Sequence, residues 1–211
     1  MKTKTDENVL KLVYGTGNPA KLASMRRRLE SLDIEIIGLY EIEGELPDIT
    51  ESGETLLENA KIKALAYYKK FGVPVFSCDS GLYFDNVPED IQPGIHVRNV
   101  RGKRLTDQEM IEYYGGLAKK YGDLTARYRN ALVLVIDRDH IYEAVEERTP
   151  FLITSELHRV VKEGFPLDSL SVDIATGKYF HDLKKNEVDG LAVGDKFLEL
   201  FKKVLAEWQN F

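Results

Sequence analysis

The chain has 211 residues, 43% of them hydrophobic and 30% charged, with a formal net charge of −6. That length suits one sizeable core, and the acidic balance excludes a protein that grips nucleic acid through a broad basic surface. A single cysteine, Cys78, excludes an intramolecular disulfide framework, and no apolar run approaches membrane-spanning length.

The polar stretch Met1–Asn8 has no apolar signal core and reads as a short frayed tail, so the protein is expected to be cytoplasmic. Val9–Tyr14 reads as a strand. A helix is expected from Pro19 to about Leu32, with Asn18 as its cap and Pro19 at its first position, where no amide hydrogen is needed. Ile34–Tyr40 is a second strand, and Glu41–Gly53 is acidic and irregular. Thr55 and Glu58 form a capping box for a helix from about Glu54 to Phe71, which places Leu56, Ala60, Ala64, Tyr67 and Phe71 near one face before Gly72 ends it. Val73–Cys78 is a third, buried strand. Asp85–Lys103, with Pro88, Pro93, Gly94 and Gly102, is mostly loop.

Thr106 and Glu109 make a second capping box, opening a helix to about Tyr121. Arg127–Asp137 is a long strand that pairs with Ile141–Arg148 as a hairpin across Asp137–His140. Leu152–Val172 carries no clear period. A C-terminal helix starts at about Asp195, with Phe197, Phe201, Val204, Leu205 and Trp208 as its apolar stripe. The alternation predicts one α/β domain over residues 1–211, a mixed central sheet flanked by helices.

Two small-residue loops follow apolar strands: Gly15–Lys21, which carries Lys21, and Ser77–Gly81, which carries Asp79. Open α/β sheets place ligands just beyond the carboxyl ends of their strands. A helix N-terminus with Lys21 in its first turn suits phosphate oxygens; the same loop also reads as a capped turn with a solvated lysine. Glu51, in Glu51-Ser52-Gly53-Glu54, suits magnesium, which takes one or two carboxylates plus phosphate oxygens and water. It also reads as part of a solvated acidic loop. Lys61 and Lys63 are two apart on a helix, so one faces a site beside Glu51 and the other faces solvent. Asp79 closes a buried strand, where a carboxylate is costly unless paired or bound to metal, and it suits a metal ligand or a base that takes a proton from water. Cys78 reads as a small apolar residue rather than a nucleophile. His96, His140, His158 and His181 show no metal-ligand spacing and read as surface or capping residues. The run Arg98, Arg101, Lys103 and Arg104 reads as a solvated face, or one that reaches a nucleotide or a partner subunit.

In this order, Thr16-Gly17-Asn18-Pro19-Ala20-Lys21, Glu51-Ser52-Gly53, Glu58-Asn59-Ala60-Lys61-Ile62-Lys63-Ala64, Asp79-Ser80-Gly81-Leu82, Pro93-Gly94-Ile95 and a weaker Gly164-Phe165-Pro166-Leu167-Asp168 resemble the Ham1, or inosine-triphosphate pyrophosphatase, family. The resemblance is strong over residues 9–95 and thin beyond. It implies an elongated, two-lobed α/β fold with a central cleft, a homodimer, and magnesium-dependent hydrolysis of a non-standard purine triphosphate (inosine, deoxyinosine or xanthosine) to monophosphate and pyrophosphate. Carried over, Thr16, Asn18, Lys21, Lys63 and Ser80 would hold the triphosphate. Glu51 and Asp79 would serve metal and water, with Asp79 as base. Phe165 would lie on the base, and Asp168 would match the aspartate closing that motif.

The departures matter too. Cys78 stands where the family often has a second acid. The Gly-Phe-Gly-Tyr-Asp-Pro stretch is here Gly164–Ser169, and the Ser-His-Arg that opens the family's last helix corresponds to about Ala192-Val193-Gly194. The expected function is therefore a nucleoside-triphosphate pyrophosphatase of altered or relaxed base preference. A non-catalytic nucleotide-binding homologue and a hydrolase of another phosphorylated metabolite stand beside it. No nucleic acid and no membrane is expected as partner.

Overall fold

The first apolar run folds into strand β1 (Leu10–Tyr14), which pairs in parallel with β2 (Ile34–Gly38) on one side and β3 (Val75–Phe84) on the other. Having sheet on both sides and layers on both faces, β1 buries every residue but Lys11. The computed structural model describes residues 9–184 and 195–209; the expected tail and the Ala192–Gly194 stretch lie outside them. Contacts divide the chain into two units interleaved in sequence, one made of residues 1–79, 131–145 and 195–211, the other of 80–130 and 146–194.

In the first unit, α1 (Pro19–Arg28), α2 (Leu56–Phe71) and the C-terminal helix, α4 (Lys196–Trp208), cover the sheet. One layer joins Leu12, Tyr14, Leu22, Phe76, Leu134 and Phe201. The Tyr14 and Phe76 rings stack at 4.4 Å, and Phe201 meets Phe76 edge-on at 5.2 Å. Each such buried aromatic contributes roughly 1.5–3 kcal/mol. On the other layer Val13, Leu39 and Val75 pack with Tyr67 and Phe71 of α2. The caps are as expected: Asn18 for α1, and the Thr55/Glu58 box and left-handed Gly72 (φ +68°) for α2. Asp195 caps α4 and is gripped by Arg28 of α1. Phe197, Phe201, Val204 and Leu205 are buried, whereas Trp208 lies at the rim.

In the second unit, β6 (Leu124–Val135) pairs antiparallel with β8 (Phe151–Ile153), and β8 with β9 (Ser171–Asp173). The helix α3 (Asp107–Tyr121), opened by the Thr106/Glu109 box, packs Met110, Ile111 and Tyr114 against Leu82, Phe84, Phe151 and Leu170. A two-residue hairpin, β4 (Asn99–Val100) with β5 (Lys103–Arg104), carries much of the basic run. Arg98 pairs with Asp107, and Lys103 with Glu109. β7 (Ile141–Glu147) pairs with β6 as the expected hairpin, and hydrogen bonding orders the strands β2-β1-β3-β6-β8-β9. The sheet is mixed and carries helices, as expected.

Several boundaries differ, β6 starting at Leu124 rather than Arg127 among them. α1 stops at Arg28 and β2 at Gly38, each shorter than its apolar pattern. The unassigned Leu152–Val172 stretch holds most of β8, the start of β9 and a 3-10 turn, Pro166–Ser169. β3 does not stop at Cys78 but runs to Phe84, so Asp79 lies inside the strand rather than at its end. The polar Asp79-Ser80-Gly81 masks the alternation that resumes with Leu82 and Phe84 buried. Gly81 permits it: Leu82 N–H donates to Gly94 O at 3.0 Å, and a Cβ on Gly81 would stand 2.8 Å from that oxygen.

Candidate active site

The phosphate loop follows β1. Asn18 Oδ1 accepts from the Ala20 and Lys21 amides at 2.9 and 3.3 Å, and Thr16 Oγ1 accepts from Asn18 N–H at 3.2 Å. The helix amides expected to face a phosphate are thus already satisfied by the cap. What the loop still offers an anion is side-chain donors, above all the Lys21 ammonium. Among the described residues no ion pair or hydrogen bond engages it. Burial lowers its pKa, the nearby Lys63 adds to that, and Cys78, Asp79 and Glu51 oppose it.

α2 brings the carboxylates together through one lysine. Lys63 Nζ donates to Asp79 Oδ1 at 2.7 Å and to Glu51 Oε2 at 3.0 Å. The Lys63 and Asp79 side chains are each 14% exposed, whereas Glu51 is 47% exposed. Burial, reinforced by Glu51, raises the Asp79 pKa although Lys63 opposes it; for Lys63, burial pulls down but the two carboxylates win and its pKa rises. Lys61 points elsewhere, to Glu143 at 2.9 Å. The expectation that one lysine of the pair faces Glu51 is met, and the other makes an exposed ion pair.

Two residues of the quoted motifs with no role assigned from sequence support the site. Asn59 is buried on the inner face of α2, and its Oδ1 accepts the Gly53 N–H at 2.8 Å, which ties the Glu51 loop to the helix. A polar residue three after Leu56 and beside Ala60, on the apolar face, was the available clue. Gly53 must be glycine for that closeness, because a Cβ there would meet Glu58 Cβ at 2.7 Å and Asn59 Oδ1 at 2.8 Å. Cys78 is half-buried beside Tyr14; burial raises its thiol pKa to about 11, so it is neutral and no nucleophile. As donors for a cation the site presents the hard oxygens of Glu51 and Asp79. No group of three or more His, Cys, Asp or Glu could hold a metal ion among the described residues. Two carboxylates suit magnesium, which completes its shell with phosphate oxygens and water, and do not make a closed structural cage.

Ser80, Phe165 and Asp168 belong to the second unit. Gly164, at φ +81°, turns the chain before Phe165 and donates its N–H to Asp107 Oδ2 at 2.8 Å. Asp168 follows in the 3-10 turn, with its N–H on Phe165 O at 3.2 Å. No side-chain or backbone donor reaches its carboxylate among the described residues. Burial raises its pKa to about 6, against the pull of Lys162 and Arg148. Of the histidines read as surface or capping residues, His140 lies in the turn that Asp137 caps, donating its N–H to Asp137 Oδ1 at 2.8 Å with its Nδ1 at 2.8 Å from the same oxygen. His158 departs from the expectation: its side chain is only 9% exposed and stacks on the His181 ring at 5.4 Å.

A family model described as the Ham1 family matches residues 12–191. The chain belongs to the Ham1 family. It is 34% identical over 141 residues to the dITP/XTP pyrophosphatase of Porphyromonas gingivalis, covering 66% of this chain and 71% of that protein. It is 38% identical over 104 residues to the dITP/XTP pyrophosphatase of Coxiella burnetii, 49% of this chain and 50% of that protein. Its fold superposes on the structure of a HAM1 protein from Coxiella burnetii with a TM-score of 0.71, at 27% identity, covering 94% of this chain and all of the other. Among the described residues no helix is long and apolar enough to cross a membrane.

In this Ham1 protein the Asp168 carboxylate costs stability, and the sign sets the test. Its folded pKa of about 6 lies above the usual carboxylate value of about 3.9. Its contribution is therefore most favourable below about pH 4 and is lost as pH rises through about 6. Asp168→Asn is expected to raise stability at pH 8 by up to roughly 2–3 kcal/mol, and to leave it unchanged near pH 4. Melting temperatures of both proteins across that range check this; a gain that is equal at pH 4 and pH 8 would contradict it.

Proposed function

We propose that this chain is a metal-dependent nucleoside-triphosphate pyrophosphatase with an altered base preference, releasing pyrophosphate and a nucleoside monophosphate. The observation that carries the reading is the Lys63 ammonium held between Asp79 and Glu51, with the Lys21 ammonium close by. Such a set neutralises phosphate charge and keeps a base beside it. Thr16, Asn18, Lys21, Lys63 and Ser80 hold the triphosphate, and Glu51 and Asp79 would hold magnesium. The ion, when bound, supplies charge neutralisation at the phosphates.

Asp79 accepts the proton of the water that attacks the α-phosphorus. The bond from that phosphorus to the bridging oxygen breaks, and pyrophosphate leaves. Burial raises the Asp79 pKa, in keeping with a base that takes up that proton. The names of the two pyrophosphatases above support the reaction class. Phe165 is proposed to lie on the base, with Asp168 matching the aspartate that closes that motif.

The deciding assay is pyrophosphate release from a panel of nucleoside triphosphates, with and without magnesium. Release that needs the ion supports the reading. Triphosphate binding with no release from any nucleotide would favour a non-catalytic binder, a reading that the neutral Cys78 thiol, standing where relatives often carry an acid, speaks for. Release of orthophosphate alone would favour another phosphohydrolase.

Two further results are expected. Lys21→Ala weakens triphosphate binding by roughly 1.5–3 kcal/mol, the usual worth of a hydrogen bond to a charged group, whereas Lys61→Ala, which loses only its exposed pair with Glu143, changes it little. Calorimetric titration of both variants checks this, and equal losses would mean the wrong face of α2 has been assigned. The protein is also expected to be a cytoplasmic homodimer. Light scattering that gives the mass of one chain would refute the dimer.

A further inference from the structure

Strand β2 ends the sheet: among the described residues it pairs with β1 alone, and its other edge meets no strand. Leu10 N–H donates to Asp33 O at 3.2 Å, which sets the phase of the pairing. Asp33, Glu35 and Ile37 turn their backbone groups to β1, so those of Ile34, Ile36 and Gly38 turn outward. Two of these outward groups are occupied. Arg26, in the last turn of α1, donates from Nε and Nη2 to Ile36 O at 3.0 and 2.7 Å. Glu41, in the 3-10 turn Leu39–Glu41 that follows β2, accepts the Gly38 N–H at 2.6 Å. The two side chains also meet each other, Arg26 Nη2 lying 2.5 Å from Glu41 Oε2. The Gly38 N–H and Arg26 hold the Glu41 pKa down. Beside them runs an open groove of about 610 Å³, lined by Arg26, Ile34, Glu35, Ile36, Ile37 and Glu41.

We infer that the Arg26–Glu41 pair guards the β2 edge against a second copy of this chain, by occupying the backbone groups through which two β2 strands would pair. The strand needs a guard. Its sequence, Ile-Glu-Ile-Ile-Gly, is rich in β-branched residues and carries one charge, and an uncovered edge of that kind recruits another strand. The copy that fits is its own. An antiparallel pair centred on Ile36 sets Ile36 against the partner's Ile36 and Ile34 against the partner's Gly38, and the facing residues exchange N–H and C=O in both directions. Glu35 then faces the partner's Ile37, so no like charges stand opposite each other. That pairing needs the Ile36 carbonyl as acceptor and the Gly38 N–H as donor, the two groups that Arg26 and Glu41 occupy. The β1–β2 ladder is untouched by the guard, because its groups face the other way. Each position also has its own chemistry: a carbonyl takes a donor and an amide takes an acceptor, so arginine and glutamate are not exchangeable here.

The test is molar mass by light scattering over a concentration series, with thermal melts on the same samples to show that each chain is folded. The proteins are wild type, Arg26→Ala, Glu41→Ala, the exchanged pair Arg26→Glu with Glu41→Arg, Arg26→Ala with Ile34→Pro, and the control Lys61→Ala, which breaks an ion pair of similar exposure. Each chain has one such edge, so uncovering it adds one two-fold contact: a monomer becomes a dimer, and a dimer joined elsewhere extends into a row of dimers. The mass of Arg26→Ala is expected to reach at least about twice the wild-type value at high concentration, and Glu41→Ala to rise in the same direction. The exchanged pair restores opposite charges but sets an acceptor on the carbonyl and a donor on the amide, so it should associate too. Ile34→Pro removes an outward N–H and leaves those that face β1, so it should return the mass to the wild-type value. Wild-type mass in both single variants, rescue by the exchanged pair, or an equal rise in Lys61→Ala would overturn the guard. Association that persists with Ile34→Pro would do so as well, because it would show general aggregation instead of pairing through β2. If Arg26→Ala does not fold, Glu41→Ala decides, since it leaves α1 as it is.

Discussion

Asp79→Asn is expected to lower pyrophosphate release by at least about a hundredfold, the usual loss when a general base is removed, while the melting temperature stays within a few degrees. The activity loss follows from chemistry: an amide cannot take a proton from water, and it is a poor ligand for a divalent cation. The small stability change follows from the site. Burial already makes the Asp79 charge unfavourable, and Lys63 keeps its second partner, Glu51, in the variant. Glu51→Gln is expected to lose activity comparably through the metal, with less effect on folding because Glu51 is 47% exposed. Steady-state pyrophosphate release with thermal melts on both variants checks this. Near-normal turnover in Asp79→Asn would remove the base from the mechanism. A melting point lowered by ten degrees or more would show that the residue is chiefly structural.

Gly15→Ala is expected to destabilise the first unit by roughly 1–3 kcal/mol, the range for overpacking a filled interior, and to lower triphosphate affinity with it. A Cβ at Gly15 would stand 2.2 Å from Ser77 Oγ and 2.6 Å from the Tyr67 ring. Ser77 is fully buried in β3 and cannot swing into solvent, and Tyr67, partly buried, packs against the core layer under the loop. Gly17, two residues on in the same loop, has nothing within 4 Å of the equivalent position, and Gly17→Ala is expected to be nearly neutral. Melting temperatures of the two variants decide it, at about 2–4 °C per kcal/mol for a chain of this size. Comparable shifts would mean that the loop responds to chain stiffness rather than to contact with Ser77 and Tyr67. Double substitution with Ser77→Gly should recover part of the Gly15→Ala loss.

Local rules were legible in the sequence because they act over three or four residues. The Asn18 cap, the Thr55/Glu58 and Thr106/Glu109 boxes, the Gly72 stop and the Phe197–Leu205 stripe need only neighbouring residues, and all form as expected. The site's candidate residues were legible from their types and order, although each segment alone also reads as a capped turn or a solvated loop. Periodicity failed where a strand serves a site. In β3 the polar Asp79-Ser80-Gly81 interrupts the apolar pattern, while the strand, paired between β1 and β6 and bonded at Leu82 to Gly94, stays extended through it. Which lysine of Lys61 and Lys63 meets the carboxylates depended on how α2 is rotated against the sheet. That is set by Leu56, Ala60 and Ala64 packing inward, with buried Asn59 tying down the Glu51 loop. By itself the sequence determined the helices, their caps, the strands of the first half in outline and the residue types that gather at β1 and β3. The meeting of Glu51, Lys63 and Asp79 was decided only by the tertiary structure, because contacts across 12 and 16 residues depend on packing that no local pattern encodes.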